Sequence, residues 1–345
     1  MKLSWIVEPL LKWYDTSARI LPWRQNPTPY RVWISEIMLQ QTRVEAVLPF
    51  FERFLAALPD LSSLADAEEE ELLKLWEGLG YYTRVRNLQK AARIIRDEYG
   101  GEFPQDYPAI RKLPGIGDYT AGAIASIAFG QPEPAVDGNV LRVHARLCER
   151  KQEIRSTAWK KQLTEELRKI YPKTRCGDFT QALMELGAVV CLPNGEPKCG
   201  ICPLHAKCGA FLAGTAREIP LRTERKERKV EEKTILLLRH DGKLALNRRP
   251  DHGLLAGMME LPGLPGFRTK QEILLVLNER NIPFRSLKEG IRANHIFSHV
   301  EWKMRAWEIE CTAEVPGYEW VTAEELRSRI SLPSAFQMFL KRKIR

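Results

Sequence analysis

The sequence contains no apolar run long enough to cross a membrane, and its N-terminal segment lacks the apolar core and cleavage site of a secretory signal. We therefore expect a cytoplasmic chain without a membrane partner. Internal repeats and low-complexity segments are also missing. Cysteine is scarce outside one stretch, because four of the seven cysteines fall within 191–208. The odd total argues against a disulfide framework and favours a reduced compartment with a metal site.

The composition describes a globular protein with more than one domain. The chain has 345 residues, of which 44% are hydrophobic and 28% are charged, and this length predicts two or three domains. The formal net charge of +9 favours a polyanionic partner such as nucleic acid. Net charge informs association and not fold, so this remains a statement about partners.

The pattern of apolar residues changes once along the chain. Residues 1 to about 210 carry apolar side chains at helical spacing, whereas the twelve residues 222–233 include a single apolar side chain. After them, "KTILLLRHDGKLALNRRP" predicts two strands that turn at Asp241-Gly242, and "WKMRAWEIEC" alternates like a strand. We predict a helical domain over 1–215, a charged linker over 216–230 and a smaller α/β domain over 231–345.

The cysteine cluster has the spacing C-x7-C-x2-C-x5-C, formed by Cys191, Cys199, Cys202 and Cys208. Four thiolates this close in sequence can ligate an iron–sulfur cluster, and the same set can hold zinc. Spacing alone leaves both open. His205 lies inside the run, but four cysteines already complete a ligand set, so we expect it to be a bystander.

The stretch "LPGIGDYTAGAI" predicts a tight turn in front of a helix. Gly115 and Gly117 can adopt backbone angles closed to other residues, and Leu113 and Ile116 would anchor the turn on the core. The helix that follows presents unpaired N–H groups at its N-terminus, where an anion can bind. We predict a helix-hairpin-helix that binds one DNA phosphate, and a plain glycine turn between packed helices is the alternative.

Asp137 opens the next helix in "EPAVDGNVLRVHARL", where an aspartate is a good N-cap. A hairpin, an aspartate about twenty residues later and then four cysteines together resemble the helix-hairpin-helix DNA glycosylase superfamily. Within it the chain resembles the adenine DNA glycosylases of the MutY type. The segments that carry this resemblance are "LPWR", "VWISEIMLQQTRVE", "WEGLGYYTRVRNL", "LPGIGDYTAGAI", "AVDGNVLRVHAR" and "ALMELGAVVC".

The resemblance implies a multidomain fold, with a mostly α glycosylase domain and a C-terminal α/β Nudix-like domain. It also implies a structural [4Fe–4S] cluster on the four cysteines, with Lys198 and Lys207 of the cluster loop facing DNA phosphates. The first loop of the cysteine motif has seven residues, one more than is usual in the family. This departure leaves all four ligands in place.

The resemblance also assigns the chemistry. Adenine leaves readily only when its ring is protonated, and the departing sugar becomes cation-like, so two carboxyl groups are useful. Glu36 would be the acid, with a pKa raised by an apolar pocket that includes Ile34 and Leu39. Asp137 would stabilise the sugar cation, Asn139 would orient Asp137, and Tyr119 would support the sugar site.

Tyr119 occupies the position at which glycosylase/lyase relatives carry a lysine. A lysine can form a Schiff base with the sugar and a tyrosine cannot, so the chain should leave the DNA strand intact. The base must leave the stack to react. The resemblance implies that Gln40, Gln41 and Thr42 fill the gap, and that three more residues hold adenine or probe the duplex: Arg24, Leu39 and Tyr81.

The second domain resembles a Nudix fold that has lost its hydrolysis. "LALNRRPDHGLLAGMMELPG" matches the opening of the fold, but "FRTKQEILLVLNERNIPF" lacks the magnesium-binding carboxylates of the R-E-x-x-E-E-x-G helix. In this family an F-S-H loop recognises 8-oxoguanine opposite adenine, and "HIFSHVEW" carries it as Phe297, Ser298 and His299. The expected partner is duplex DNA with that pair, bound by a monomer associated with the bacterial nucleoid.

Three other functions compete with this hypothesis. A bifunctional lyase for oxidised pyrimidines is opposed by Tyr119 and by the Nudix-like domain. A non-catalytic lesion-binding protein is opposed by the presence of both Glu36 and Asp137. A Nudix pyrophosphohydrolase is opposed by the missing carboxylates.

Overall fold

The computed structural model describes residues 3–151, 153, 156–221 and 227–340. The chain forms two compact units, each made of two stretches of sequence. The first comprises Met1–Asp66 and Asn87–Glu224, and the second comprises Ala67–Arg86 and Arg225–Arg345. The charged linker predicted over 216–230 falls partly on 222–226, which lies outside the described residues.

The N-terminal part of the chain is helical, as the sequence predicts. Its helices are α1 (Val7–Ser17), α2 (Pro22–Gln25), α3 (Pro29–Leu39), α4 (Val44–Ala57), α5 (Leu61–Asp66), α6 (Glu69–Leu75), α7 (Thr83–Glu98), α8 (Tyr107–Lys112), α9 (Asp118–Phe129), α10 (Gly138–Leu147), α11 (Thr157–Arg168), α12 (Cys176–Val189) and α13 (Gly209–Leu212). Helix α6 and the first turn of α7 belong to the second unit. In the described ranges, no helix combines the length and the apolar character needed to cross a membrane.

Helix α12 lies at the centre of the first unit. It packs against α1, α9 and α10, and α9 also packs against α3. Its core includes Phe179 and Leu186 of α12, Leu10 of α1, and Trp159 and Leu163 of α11, all buried. Because these helices share one core, side chains from α3, α9, α10 and α12 can meet at one place.

The second unit is built on a mixed sheet. Its elements are β1 (Lys229–His240), β2 (Lys243–Arg248), β3 (Met259–Glu260), β4 (Gly263–Pro265), α14 (Lys270–Glu279), β5 (Phe284–Ile296), β6 (Val300–Cys311), β7 (Glu319–Val321), α15 (Ala323–Ser328) and α16 (Ser334–Gln337). The strand order is β3-β2-β1-β6-β5, with β4 paired to β1 and β7 to β2. Strands β1 and β6 are parallel and the other pairs are antiparallel.

The predicted hairpin of this unit is confirmed. The β1–β2 hairpin turns at Asp241 and Gly242, which have φ of 43° and 78° and so need residues that tolerate the left-handed region. The apolar run of β1 is continuous because both faces of the sheet are covered. Ile235 and Leu237 enter one core, while Leu236 and Leu238 enter the other, beside α14.

Helix α14 lies in the region where a working Nudix enzyme carries its metal-binding carboxylates. Glu272 in its first turn closes a capping box with Thr269, accepting hydrogen bonds from the Thr269 backbone N–H and hydroxyl. Arg268 also donates to Glu272 at 3.0 Å. The Glu272 carboxylate therefore caps the N-terminus of α14.

The segment 67–86 packs with the Nudix-like part of the second unit. Lys74 donates to the carbonyl oxygens of Leu326 and Ile330 at 2.7 and 3.2 Å, and thus binds the C-terminal end of α15. Arg86 donates to the carbonyl oxygen of Ala256 at 2.8 Å. The sequence-based limits of 1–215 and 231–345 remain a prediction about the domains, and the packing adds 67–86 to the second compact unit.

Candidate active site

The first unit contains a cavity of about 530 Å³, a volume suited to a small ligand or one nucleoside. Polar and apolar side chains from α2, α3, α9, α10 and α12 line it together. The predicted site residues among them are Arg24, Glu36, Leu39, Thr42, Tyr119, Asp137 and Asn139. The structure therefore brings all four predicted catalytic residues into one cavity. Ile34, expected beside Glu36, is fully buried and lies outside the described lining.

Glu36 is the buried carboxyl group of this cavity. It lies on α3, which begins after Thr28, whose side chain accepts a hydrogen bond from the third helical N–H, and only 6% of the residue is exposed. Burial, helped by the charge of Asp137, raises the pKa of Glu36 to about 7. A hydrogen bond from Tyr119 and the charge of Arg24 lower it. Glu36 can therefore hold or release a proton near neutral pH.

Tyr119 donates the hydrogen bond that holds Glu36. Its hydroxyl lies 2.6 Å from Oε2 of Glu36, and burial together with the charges of Glu36 and Asp137 keeps its pKa well above the ordinary value. The tyrosine is thus a permanent donor. It sits in the first turn of α9, directly after the predicted hairpin.

The hairpin has the geometry that the glycine pattern predicts. Gly115 has φ of 77°, and a Cβ there would lie 2.8 Å from Cβ of Asn87, so both conformation and space require glycine. Leu113 and Ile116 are buried, as expected for anchors. Helix α9 begins after Gly117, which supplies no side-chain cap. The first N–H groups of α9 can therefore bind an external anion.

Asp137 is the N-cap of α10, as predicted. Its carboxylate accepts hydrogen bonds from the Val140 N–H at 2.8 Å and from Nδ2 of Asn139 at 2.7 Å. Burial raises the pKa of Asp137, while these two hydrogen bonds and the charge of Arg142 pull it back down. Arg142 in turn donates to Oδ1 of Asn139 at 2.8 Å. Arg142 therefore holds the amide oxygen of Asn139, while the amide nitrogen of Asn139 orients Asp137.

Close packing of α12 against α10 fixes Asn139. Gly187 of α12 faces it, and a Cβ at position 187 would lie 2.6 Å from Cβ of Asn139. The Gly187 carbonyl oxygen also accepts a hydrogen bond from Arg142 at 2.8 Å. Any larger residue at 187 would displace Asn139 from the aspartate that it orients.

The cavity includes an ion-pair group that the sequence analysis missed. Arg24 donates from Nη2 to Oε2 of Glu185 at 2.8 Å, and Arg19 binds the same carboxylate through Nε and Nη2 at 2.7 and 2.9 Å. Glu185 lies in the apolar helical stretch "ALMELGAVV". A charged residue in such a stretch is a signal of a buried pair, and it could have been noticed.

The loop between α3 and α4 carries Gln40, Gln41 and Thr42, the residues predicted to fill the gap left by the extruded base. Leu39 and Thr42 line the cavity, while Gln40 and Gln41 lie outside its described lining. Gln41 is exposed and has φ of 60°, an uncommon conformation for a residue other than glycine. Of these three residues, Thr42 therefore lines the cavity, and Gln40 and Gln41 lie outside its described lining.

The other predicted DNA-contacting residues lie in the second unit. Tyr81, Phe297, Ser298 and His299 line a cavity of about 520 Å³. The hydroxyl groups of Tyr81 and Ser298 are 2.6 Å apart and hydrogen-bonded. Tyr81 has φ of 49° and is 46% exposed. The structure thus groups Tyr81 with the F-S-H loop.

The four cysteines of the motif line one further cavity of the first unit. Burial, together with the charges of the other three sulfurs, raises the pKa of Cys202 to about 12, so the four thiols are close enough to interact. Nη1 of Arg146 donates to Sγ of Cys191 at 3.2 Å. Among the described residues, no group of three or more His, Cys, Asp or Glu is arranged to hold a single metal ion. His205, Lys198 and Lys207 are exposed, and the DNA-facing role of the two lysines stays a prediction.

Comparison with known proteins identifies the family. Residues 34–173 match the HhH-GPD superfamily base excision DNA repair protein model, and residues 234–342 match the NUDIX domain. The adenine DNA glycosylase of Buchnera aphidicola from Acyrthosiphon pisum is 36% identical over 291 residues, which cover 84% of this chain and 82% of that protein. The chain belongs to the adenine DNA glycosylase family. The family resemblance and the two-part fold predicted from the sequence are confirmed.

The similarity extends to a eukaryotic relative and to a DNA complex. The human adenine DNA glycosylase is 34% identical over 385 residues, covering 92% of this chain and 70% of the human protein. A non-covalent endonuclease III–DNA complex has a TM-score of 0.52 and 26% identity, covering 61% of this chain and 95% of that one. The helical part of this chain is thus similar to an enzyme whose structure is a DNA complex.

Proposed function

We propose that the protein is a base-excision-repair glycosylase that acts as a monomer on duplex DNA and hydrolyses the N-glycosidic bond of adenine paired with 8-oxoguanine or guanine. One observation carries this proposal. Glu36, a buried carboxyl group with a pKa of about 7, shares a cavity with a second carboxyl group, Asp137. Glycosidic bond cleavage needs such a pair, in which different surroundings give two carboxyl groups different roles. Family membership supports adenine as the base.

Glu36 is the proton donor in this proposal. Adenine becomes a good leaving group when N7 is protonated, and a group with a pKa near the working pH is the most effective donor. Tyr119 donates to Oε2 of Glu36, so a proton carried by Glu36 resides on Oε1. Once the proton is transferred, the carboxylate can activate the attacking water.

Asp137 supplies the negative charge beside the sugar. As adenine departs, positive charge develops on the sugar, and a fixed carboxylate stabilises it without having to reorganise. The Val140 N–H and the Asn139 amide both donate to this carboxylate, which favours its ionised form. Arg142 holds Asn139 in place and thereby fixes the direction of the aspartate.

The proposed reaction leaves the DNA strand intact. Strand cleavage by a lyase needs an amine that attacks the sugar, and position 119 carries a tyrosine whose hydroxyl is committed to Glu36. No lysine is among the described residues that line the cavity. These two observations support hydrolysis and oppose the bifunctional lyase alternative.

Duplex DNA is the proposed partner, and the compartment that holds the chromosome, the cytoplasm in a bacterium, is where the protein would act. The N–H groups at the start of α9, after Gly115 and Gly117, would bind a backbone phosphate. Gln40, Gln41 and Thr42 would fill the gap that the extruded base leaves. The net charge of +9 supports a polyanionic partner.

The second unit would recognise the base opposite adenine. Ser298 and His299 are exposed at the cavity that also contains Phe297 and Tyr81, so their polar groups are open to a ligand. 8-Oxoguanine differs from guanine at C8 and N7, and exposed hydroxyl and imidazole groups can distinguish the two by hydrogen bonding. This role is the proposed basis of the preference for 8-oxoguanine.

The cysteine cavity would hold a [4Fe–4S] cluster. Four sulfur donors surround one cavity, Arg146 directs a cationic donor at Cys191, and four cysteines are the usual ligand set of such a cluster. When bound, the cluster would tie the loop 191–208 together structurally. Purified protein should be brown with about four iron atoms per chain, whereas stoichiometric zinc from an iron-replete, anaerobic preparation would contradict this assignment.

Adenine release from defined duplexes tests the proposed function. Duplexes with adenine opposite 8-oxoguanine, guanine or thymine should be incubated with excess enzyme, and free adenine and strand breaks should be measured. We expect release from the first two duplexes, fastest opposite 8-oxoguanine, and breaks only after alkali or heat. Breaks at neutral pH that rise with adenine release and are trapped by borohydride would show a lyase. Tight binding without release would favour the non-catalytic alternative.

A further inference from the structure

Glu185 lines the candidate active-site cavity and accepts hydrogen bonds from two arginines. Arg19 donates to it from its backbone N, Nε and Nη2 at 3.2, 2.7 and 2.9 Å, and Arg24 donates from Nη2 at 2.8 Å. The Glu185 side chain is only 1% exposed. The buried carboxylate therefore holds both guanidinium groups in place.

The ion-pair group stays ionised under all working conditions. Burial alone would raise the pKa of Glu185, but the hydrogen bonds from Arg19 and Arg24 outweigh it and lower the pKa to about 2. Two cations on one carboxylate leave one unit of positive charge in the group. Glu45, which is 3.8 Å from Arg19 and mostly exposed, offsets little of that charge.

The stability of the folded protein does not explain why position 185 carries a carboxylate. A buried ion pair can often be replaced by apolar side chains of similar volume without loss of stability. Glu185 also lies on α12 among apolar residues such as Leu183 and Leu186, which are already buried. The charge is better explained by its effect on the two arginines, which line the same cavity as Glu36.

The titratable groups that act on Glu36 come from three elements. Tyr119 of α9 donates to it, Asp137 at the start of α10 repels its charge, and Arg24 of α2 attracts its charge. Among these, only Arg24 is cationic. Arg24 lines the same cavity as Glu36, and its charge favours the ionised form of Glu36. Glu185 accepts a hydrogen bond from Arg24 and offsets part of that charge.

We propose that Glu185 is a positioning residue for the active site: it holds Arg24 at the cavity wall and balances its charge, so that a cationic donor can face the base while Glu36 remains an acid. The proposal rests on the proposed function for the identity of the reaction. The charge balance itself is a property of the free protein. Removing Glu185 and removing either arginine should therefore act on Glu36 in opposite directions.

The first test compares the Glu185→Gln and Arg24→Met variants. Glutamine keeps the size of Glu185 but removes its charge, so Arg24 is left uncompensated and the pKa of Glu36 should fall by roughly 0.5 to 1 unit. Arg24→Met removes the cation itself, so the pKa should rise. In Arg19→Met, the Glu185 carboxylate offsets Arg24 alone. The pKa of Glu36 should therefore rise in this variant too, but by less than in Arg24→Met.

The pKa should be measured directly and without DNA. Glutamate labelled with ¹³C at the δ carbon reports the titration of Glu36 by NMR, and Glu36→Gln assigns the signal. Opposite shifts in Glu185→Gln and in the two arginine variants support the proposal. If Glu185→Gln does not fold, the two arginine variants still decide it. Unchanged titration, or shifts of the same sign in Glu185→Gln and Arg24→Met, would overturn it.

Activity provides the second readout and a matched control. In single-turnover adenine release, the alkaline limb of the pH profile should move with the NMR titration of each variant. Glu133→Gln removes a partly buried ion pair with Arg168 in the same unit, 2.9 Å long, and should leave the limb in place. If the wild-type protein released no adenine but the NMR shifts appeared, the proposed function would fail while the charge-balance inference would stand.

Discussion

Two cavities in the described part of the chain are nearly equal in volume, about 530 and 520 Å³, but hold their polar groups in different ways. In the first unit, Glu36 and Asp137 are each held by a partner, Tyr119 or Asn139, through hydrogen bonds of 2.6 and 2.7 Å. In the second unit, Ser298 and His299 are exposed on a loop, and Tyr81 is 46% exposed.

This difference matches the needs of chemistry and of recognition. Proton transfer near neutral pH requires a carboxyl group whose pKa is raised, and burial in a closed network achieves this for Glu36. Discrimination between two bases requires donors and acceptors that an incoming base edge can reach, so exposure is useful there. We infer that the first cavity carries the reaction and the second the choice of partner base.

The backbone shows the same division. The groups of the first cavity lie on or at the start of helices: Glu36 on α3, Tyr119 on α9 and Asp137 at the N-cap of α10. Around the second cavity, Tyr81 and Leu255 lie outside regular elements with φ of 49° and 57°. Helical positions hold a reacting group firmly, whereas loops adapt to a ligand.

The largest expected effect is the loss of chemistry in Glu36→Gln. An amide cannot supply the proton, so single-turnover adenine release should fall by about 10³-fold or more, while binding of the lesion duplex should change little. The small residual rates on the 8-oxoguanine and guanine duplexes should keep the wild-type ratio. This result would separate the reaction cavity from the cavity that recognises the partner base. Near-normal release would remove Glu36 from the acid role, with Glu133→Gln as the control for a lost carboxylate.

A smaller effect, confined to the choice of partner base, is expected from the double change Ser298→Ala and His299→Ala. Loss of two hydrogen-bonding side chains should reduce the preference for 8-oxoguanine over guanine about tenfold, with the rate on the guanine duplex unchanged within about threefold. Rates should be measured on both duplexes under single-turnover conditions. Equal losses of rate on both duplexes would contradict the assignment of reaction and partner-base recognition to separate cavities.

The smallest expected effect comes from Tyr81→Phe, which removes the hydroxyl group bonded to Ser298 and keeps the ring. One hydrogen bond is lost, so the preference for 8-oxoguanine should fall about two- to fivefold. The control is Tyr119→Phe, which removes a hydroxyl group from the other cavity and should act on the pH profile instead. A Tyr81→Phe variant whose pH profile moves would show that the two cavities are not separate in function.

Local sequence was enough to predict much of the fold and the central pair of the site. Asp137 could be identified as a helix N-cap and Gly115 as a turn residue because both roles depend on a few neighbouring residues. The strands were predicted because alternation and the Asp241-Gly242 turn are local patterns. Family motifs then assigned Glu36, which composition and periodicity alone would describe as a helix residue facing solvent.

The rest depended on contacts between distant parts of the chain. Arg19 and Arg24 meet Glu185 across more than 160 residues, and Tyr81 meets Ser298 across 217. Nothing near either residue in the sequence specifies its partner. The packing of 67–86 with the second unit is similar, because it depends on carbonyl groups at the end of α15 that Lys74 binds.

The pH dependence of adenine release on two duplexes tests the central claim most directly. Glu36 has a pKa of about 7 and must be protonated to act, so the single-turnover rate should fall as pH rises through 7, approaching tenfold per unit. The account predicts the same alkaline limb opposite 8-oxoguanine and opposite guanine, with different heights, because the partner base is recognised in the other cavity. A rate that is flat from about pH 6 to 8.5, or a limb at a different pH for each duplex, would contradict it.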